Sequence, residues 1–221
     1  MDETRLKNIQ TIIFDYDGTL HDSTANYIVA FKMAYNYLIE KKKAVPRDWK
    51  DEEITKWLGY SSKDMWENFM PNLDAEHQAT ASKIIGETLL EKVLAKESTL
   101  YTGALETLDY LRDKGYQLIF LSNCSEKYMN AHQKAFQLNQ YFEDMYCTET
   151  FDYNAKYKIF ELIEKQYKEK FLIVGDRIQD FEISHYHNLV SIGCNYGFGS
   201  EEELQQSDIR INAIQELQDI L

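Results

Sequence analysis

The chain has 221 residues, 44% of them hydrophobic and 14% aromatic, enough for one large domain or for a core carrying a smaller insert. Its 24 Lys and Arg against 37 Asp and Glu give a formal net charge of −13, which argues against sequence-independent binding to nucleic acid or to an anionic membrane. An anionic small molecule stays within reach, because a metal ion and a few local cations reverse the field inside one cleft.

Residues Met1 to Arg5 show neither the charge pattern nor the apolar run of a signal peptide. No stretch approaches the roughly 18 apolar residues of a membrane span. Cys124, Cys147 and Cys194 are odd in number and widely spaced, without a Cys-x-x-Cys pair, so neither a disulfide frame nor a zinc site is expected. A reducing cytoplasm is the expected location.

Ile12-Ile13-Phe14 reads as a short buried strand, ended by the turn signal Asp17-Gly18. Residues two apart on a strand point the same way. Asp15 and Asp17 are therefore expected to share its carboxyl end, where open α/β sheets bind ligands. Two close carboxylates favour a cation between them, and hard oxygen donors suit Mg²⁺. From Leu20 to about Thr102 no buried strand is expected. Helices are predicted over 24–43, 51–58, 62–69 and 75–96, and both prolines, Pro46 and Pro71, fall in this interval. It reads as an inserted small helical domain.

Beyond it, helix 103–113 is marked by Leu105, Leu108 and Leu111 and closed by Lys114-Gly115. There follow a strand at 116–121, helix 125–138, a weaker strand at 145–147, helix 155–168, a strand at 171–174, helix 178–187, a strand at 189–192 and an edge strand at 209–211. Strand and helix alternating in this way predict βαβ units and a parallel sheet.

Three further signals sit at predicted strand ends or helix starts. Ser122-Asn123 ends a strand before a helix, either a phosphate-binding hydroxyl or an ordinary helix cap. Lys156 opens a helix and on its own is one surface lysine among many. Gly175-Asp176-Arg177-Ile178-Gln179-Asp180 puts two carboxylates four apart at a strand-to-helix junction. That is either half of a metal site or acidic charge placed favourably at a helix start.

In order and spacing these pieces resemble the haloacid dehalogenase-like hydrolase family. Asp15-Tyr16-Asp17-Gly18-Thr19-Leu20 matches the family's first motif without gaps, Ser122 its second, Lys156 its third, and Gly175, Asp176 and Asp180 its fourth. The resemblance covers nearly the whole chain. It implies a Rossmann-like α/β core, residues 1–21 and 101–221, with helices on both faces of the sheet. It also implies an inserted α-helical cap of the family's first class, residues 22–100. The same order occurs in phosphoglycolate-phosphatase-like and β-phosphoglucomutase-like members.

The resemblance also implies roles. Asp15 is the nucleophile that forms an aspartyl-phosphate, and Asp17 is the acid and base. Ser122 donates to a phosphoryl oxygen, with Asn123 as a further phosphate contact. Lys156 pairs with Asp15 and the phosphoryl group. Mg²⁺ is held by Asp15, the backbone carbonyl of Asp17, and Asp176, with Asp180 as a ligand or a support behind one. The expected substrate is a small phosphorylated metabolite; oligomeric state is not legible.

Several residues fall outside the motifs. Arg177, where many relatives carry Ser, is expected at the helix surface, with the cleft rim as the alternative. His21 is expected to play a structural part, at the interface with the cap. His185 and His187 are two apart on a helix and so do not face a shared metal. Cys124 has no evident base beside it. In the loop from Leu58 to Lys63, Lys63 is either a contact for an anionic substrate or a solvated side chain. Tyr27, Tyr35 and Tyr37 are expected mostly to pack the insert.

A phosphatase is the leading reading. A β-phosphoglucomutase-like phosphomutase is the alternative, but the Arg-Gly-rich cap segment of those relatives is absent where this chain has Leu58-Gly59-Tyr60-Ser61. A metal-free dehalogenase has no need of Asp17. A catalytically inactive binding or regulatory member is the least favoured, since every expected catalytic residue is present.

Overall fold

In a computed structural model, which describes residues 5–167 and 170–221, β1 (Thr11–Phe14) is buried at every position. It lies at the centre of a six-stranded sheet with β4 (Gln117–Ser122), β5 (Asp144–Cys147), β6 (Phe171–Gly175), β7 (Val190–Cys194) and β8 (Ile209–Ile211). The order is β5-β4-β1-β6-β7-β8, and every neighbouring pair is parallel. The chain first builds outward from one side of β1 and then from the other. The carboxyl end of β1 is thus the switch point where such sheets bind ligands.

Strand alternation divides the central residues between two faces. Ile12, Phe14, Leu118, Phe120, Leu172 and Val174 pack on one face, under α5 (Ala104–Asp113), α6 (Glu126–Phe136) and α10 (Leu217–Ile220). Ile13, Ile119, Leu121 and Ile173 pack on the other, under α7 (Lys156–Ile163) and α8 (Ile178–His187). Burial on both faces is why these strands read as unbroken apolar runs. The short α9 (Glu201–Leu204) precedes β8.

Between core strands lies the insert: α1 (Thr24–Glu40), α2 (Asp51–Thr55), α3 (Ser62–Phe69) and α4 (Ala75–Leu94). It has its own apolar centre of Phe31, Leu38, Ile54, Trp66 and Ala81. Val93 of α4 and Phe198 of the core carry packing across the junction. The chain enters the insert through β2 (His21–Asp22) and returns through β3 (Thr99–Leu100), and these two pair antiparallel, His21 with Leu100 and Asp22 with Thr99. Two-residue strands are too short to leave a periodic signal, so the sequence showed none here.

The other predicted elements are present with ends shifted by a few residues. Helix 155–168 stops at Ile163, short of its predicted end; residue 168, like the start of the core at 1–4, lies outside the described residues. Helix 24–43 ends at Glu40, ahead of Lys42 at φ 58°.

Candidate active site

β1, β4 and β6 run in register, so their carboxyl ends rise together. Phe14 aligns with Phe120 and Val174, and the Asp15 amide donates to the Val174 carbonyl at 2.9 Å. Asp15 and Asp176, each just past its strand, and Ser122, the last residue of β4, therefore meet at one end of the sheet. Asp15 continues the alternation of Ile13 and faces α7. There Lys156, the first residue of that helix, places Nζ 2.6 Å from Asp15 Oδ1 and 2.7 Å from Asp180 Oδ1. All three side chains are at most 5% exposed.

Asp180 has both oxygens engaged, since Oδ2 accepts the backbone N–H groups of Arg177 at 3.0 Å and Asp176 at 3.2 Å. Asp176 accepts from the Phe198 amide at 2.6 Å and from the Thr19 hydroxyl at 3.3 Å. Glycines let the backbone close around it. Gly18 has φ +94°, and a Cβ there would overlap the Asp176 carboxylate; a Cβ on Gly175 would overlap Asp180.

One carboxylate oxygen from each of Asp15, Asp176 and Asp180 lies within 4.8 Å of the other two. Burial pushes the Asp15 carboxyl up to about 7, with Asp180 adding to the rise and Lys156 opposing it. Burial and the charges of Asp15 and Asp180 hold the Asp176 carboxyl far above the usual carboxylate range. Burial lowers Lys156, but the charges and hydrogen bonds of Asp15 and Asp180 outweigh it and hold the ammonium above its usual range. Without a cation the cluster therefore keeps protons, because three ionised carboxylates against one ammonium would leave two negative charges unpaired in a buried site. A hard divalent cation fits that deficit and the all-oxygen donor set.

The Asp17 carboxylate is not in this cluster, contrary to the expectation that it and Asp15 face one cation. β1 ends at Phe14, and beyond it the chain turns back through hydrogen bonds from the amides of Leu20 and His21 to the Tyr16 carbonyl. Alternation no longer governs the side-chain direction. Asp17 turns toward α6, where its Oδ1 receives His21 Nδ1 at 2.7 Å and the Tyr128 hydroxyl at 3.0 Å. Burial raises its pKa, but the hydrogen bond and charge of His21 and the hydroxyl of Tyr128 outweigh that and hold the carboxyl below its usual range.

A cavity of about 690 Å³ opens above these residues. Asp15, Asp17, Ser122 and Asn123 form its floor, while Tyr27, Trp57, Tyr60 and Met65 of the insert form part of its wall. Among the described residues the cations lining the cavity are Lys83 of the insert and Lys127 of the core, neither of which any sequence motif marked. Lys63 is not among the lining residues and lies near Glu67 in solvent, at 4.0 Å. Cys124 lines the cavity, and burial, reinforced by the charge of Asp17, raises its thiol so that it stays protonated.

The junction with the insert places several residues differently from the sequence reading. Arg177 is 4% exposed rather than on a helix surface. Its Nη1 donates to the carbonyls of Leu58 and Lys56, its Nε donates to Glu203 Oε1 at 3.1 Å, and its guanidinium lies 4.6 Å from the centre of the Tyr60 ring. Asn123 donates one N–H of its side-chain amide to the Gly59 carbonyl at 3.0 Å, so that group also holds the insert. His21, 1% exposed, faces Asp17 and a ring cluster with Tyr16 and His132, not the insert. His185 and His187 contact separate carbonyls, of Gln206 and Tyr157. Tyr27 lines the cavity, Tyr35 packs within the insert, and Tyr37 stacks on His77.

Residues 12–194 match the model of a protein family described as haloacid dehalogenase-like hydrolase. Phosphoglycolate phosphatase of Vibrio cholerae is 28% identical over 214 residues, covering 92% of each chain. The enzyme of the same name from Agrobacterium fabrum is 27% identical over 194 residues, covering 84% of this chain and 80% of that one. Among solved structures, a predicted phosphatase from Clostridium acetobutylicum superposes with a TM-score of 0.81 at 25% identity, covering 96% of this chain and 97% of the other. CbbY from Rhodobacter sphaeroides, in complex with phosphate, shares the fold at a TM-score of 0.76 and 19% identity, with 95% and 96% covered.

Proposed function

Because the chain belongs to the haloacid dehalogenase-like hydrolase family, we propose that it is a Mg²⁺-dependent phosphatase of small phosphate monoesters working through an aspartyl-phosphate. The observation that carries this reading is the buried cluster of Asp15, Lys156, Asp180 and Asp176 at the carboxyl ends of the central strands, beside Ser122. Residues 22–100 act as the cap and residues 1–21 and 101–221 as the catalytic core. The relatives named phosphoglycolate phosphatase make a small phosphorylated acid the first substrate to try. Among the described residues no helix is long and apolar enough to cross a membrane; we place the protein in the cytoplasm.

Asp15 attacks phosphorus in line with the departing oxygen. A carboxylate nucleophile divides one difficult displacement into two easier ones. Lys156 holds Asp15 ionised and meets the charge spread over the phosphoryl oxygens. Ser122 donates its hydroxyl to one of those oxygens. Asp17, ionised in the free protein, takes up a proton from solvent as the anionic ester enters beside it, gives that proton to the leaving alkoxide, then takes one from the water that hydrolyses the aspartyl-phosphate. Asp15, Asp176 and the Asp17 carbonyl would hold Mg²⁺, with Asp180 behind them anchoring Lys156 and the loop that carries Asp176. The cation would supply charge neutralisation for the phosphoryl group.

The test is release of inorganic phosphate from a panel of small monoesters, phosphoglycolate included, with and without Mg²⁺. Turnover that requires Mg²⁺ and disappears in Asp15→Asn is expected. Turnover that survives Asp15→Asn, or no turnover of any ester by the unaltered protein, refutes the reading.

A further inference from the structure

Asp17 is the acid and base of the proposed reaction, and what holds its side chain in place is not part of any motif. Its Oδ1 is filled from two directions, by His21 Nδ1 at 2.7 Å and by the Tyr128 hydroxyl at 3.0 Å. The partners also touch each other, Tyr128 hydroxyl to His21 Nδ1 at 3.4 Å. Both are fixed from behind. His21 lies parallel to the Tyr16 ring at 5.2 Å and edge-on to His132 at 4.6 Å, and Tyr128 packs on His132 at 4.2 Å. Tyr16 is itself tied to His132 Nδ1 through its hydroxyl at 2.6 Å. His21 is held by backbone as well, through its pairing with Leu100 and a bridge to Asp17.

The tautomer of His21 follows from this surround. Its Nε2 is buried and has no hydrogen-bond partner. A carboxylate oxygen only accepts, so at 2.7 Å the Nδ1 proton is in place and points at Asp17. Oδ1 then accepts from two buried donors and cannot also carry the working proton. Asp17 Oδ2 has no partner among the described residues, and the side chain, 17% exposed, lines the cavity.

Resting on the phosphatase reading, we infer that His21 and Tyr128 are positioning residues for Asp17. They occupy Oδ1 and hold the carboxyl group so that Oδ2 alone exchanges protons with the leaving group and with water. Neither touches the reacting atoms. Their effect is felt where a proton is needed, and is small where the leaving group departs as a stable anion.

The experiment compares kcat/KM, which reports the first phosphoryl transfer, for two esters with Mg²⁺. p-Nitrophenyl phosphate releases a stabilised phenolate that needs no proton, while glycerol phosphate releases an alkoxide that does. The variants are Tyr128→Phe, which removes only the hydroxyl, and His21→Phe, which keeps a stacking ring without a donor. His21→Asn is the conservative variant, because its amide reaches the position of Nδ1. The ratio of aryl to alkyl kcat/KM is expected to rise about 10-fold or more in Tyr128→Phe and His21→Phe, within the range that acid catalysis supplies. It returns toward the unaltered value in His21→Asn. A ratio that stays within about 2-fold of the unaltered protein, whether both esters slow together or neither does, overturns the positioning role while leaving the phosphatase reading intact. Absence of turnover of both esters by the unaltered protein removes both readings.

Discussion

Lys156 lies between two carboxylates that would otherwise face each other in a buried site. Removing one member of such a cluster leaves charge without compensation, which costs about 3–5 kcal/mol. Lys156→Met is expected to show a loss of that order in urea denaturation of the metal-free protein, and phosphate release about 100-fold or more slower. A variant that keeps its stability would mean that the carboxylates are neutralised by other means. Gly18→Ala tests the metal cluster from the other side. It puts a side chain at φ +94° and against the Asp176 carboxylate, so Mg²⁺ affinity by calorimetry is expected to fall about 10- to 100-fold. Most of this cluster was legible only through the order and spacing of the motifs and the family they resemble, since Lys156 alone reads as one surface lysine among many and Asp176 with Asp180 alone as a helix start. The partners of Asp17 were not. Tyr128 is 111 positions away on an amphipathic helix, where its ring reads simply as core.

The loop at 56–60 belongs to the insert, yet core residues hold it. Arg177 follows Asp176, and Asn123 follows Ser122, and both reach the same loop. A side chain on Gly59, at φ +83°, would press on Arg177. The segments that carry the metal-cluster and phosphate-site residues therefore grip the insert directly. Arg177→Ala is expected to raise amide hydrogen exchange at 56–60 by about 10- to 100-fold, the equivalent of losing hydrogen bonds to a charged group worth about 1.5–3 kcal/mol. Unchanged protection would show that packing alone fixes the loop. The sequence placed Arg177 at a helix surface because a residue beside a helix start carries no record of a loop 119 positions earlier. Helix and strand identities were legible from their apolar periods. The two-residue β2 and β3 were not, since their pairing is set by how the insert attaches.

For the molecule as a whole, the buried carboxylates tie stability to pH. Asp15 moves from 3.8 to about 7 on folding, and Asp176 is raised as well. Between those values these two groups bind more protons in the folded state than in the unfolded one, so their contribution to the stability of the metal-free protein falls as pH rises from 3.8 toward 7, while the lowered Asp17 contributes with the opposite sign. A cation that takes the place of those protons reverses the trend. Mg²⁺ is thus expected to raise the melting temperature more at pH 7.5 than at pH 5, an increment read by calorimetry at both values; an equal or opposite increment would contradict the origin of the raised pKa values. The parallel sheet itself was visible in the order of its apolar runs. The depth at which its acidic residues sit was not, because burial is a property of what the insert and the 196–199 loop place above them.

The pairing of β2 with β3 has an evolutionary consequence. The insert's two ends lie side by side, Asp22 opposite Thr99, on strands joined to the core at a single place. A segment attached in this way is a cassette. It can be lengthened, shortened or exchanged for another without moving either end of the sheet, because closing its loop costs little more when the loop is long than when it is short. What such a change must preserve is the hold of Asn123 and Arg177 on the loop at 56–60.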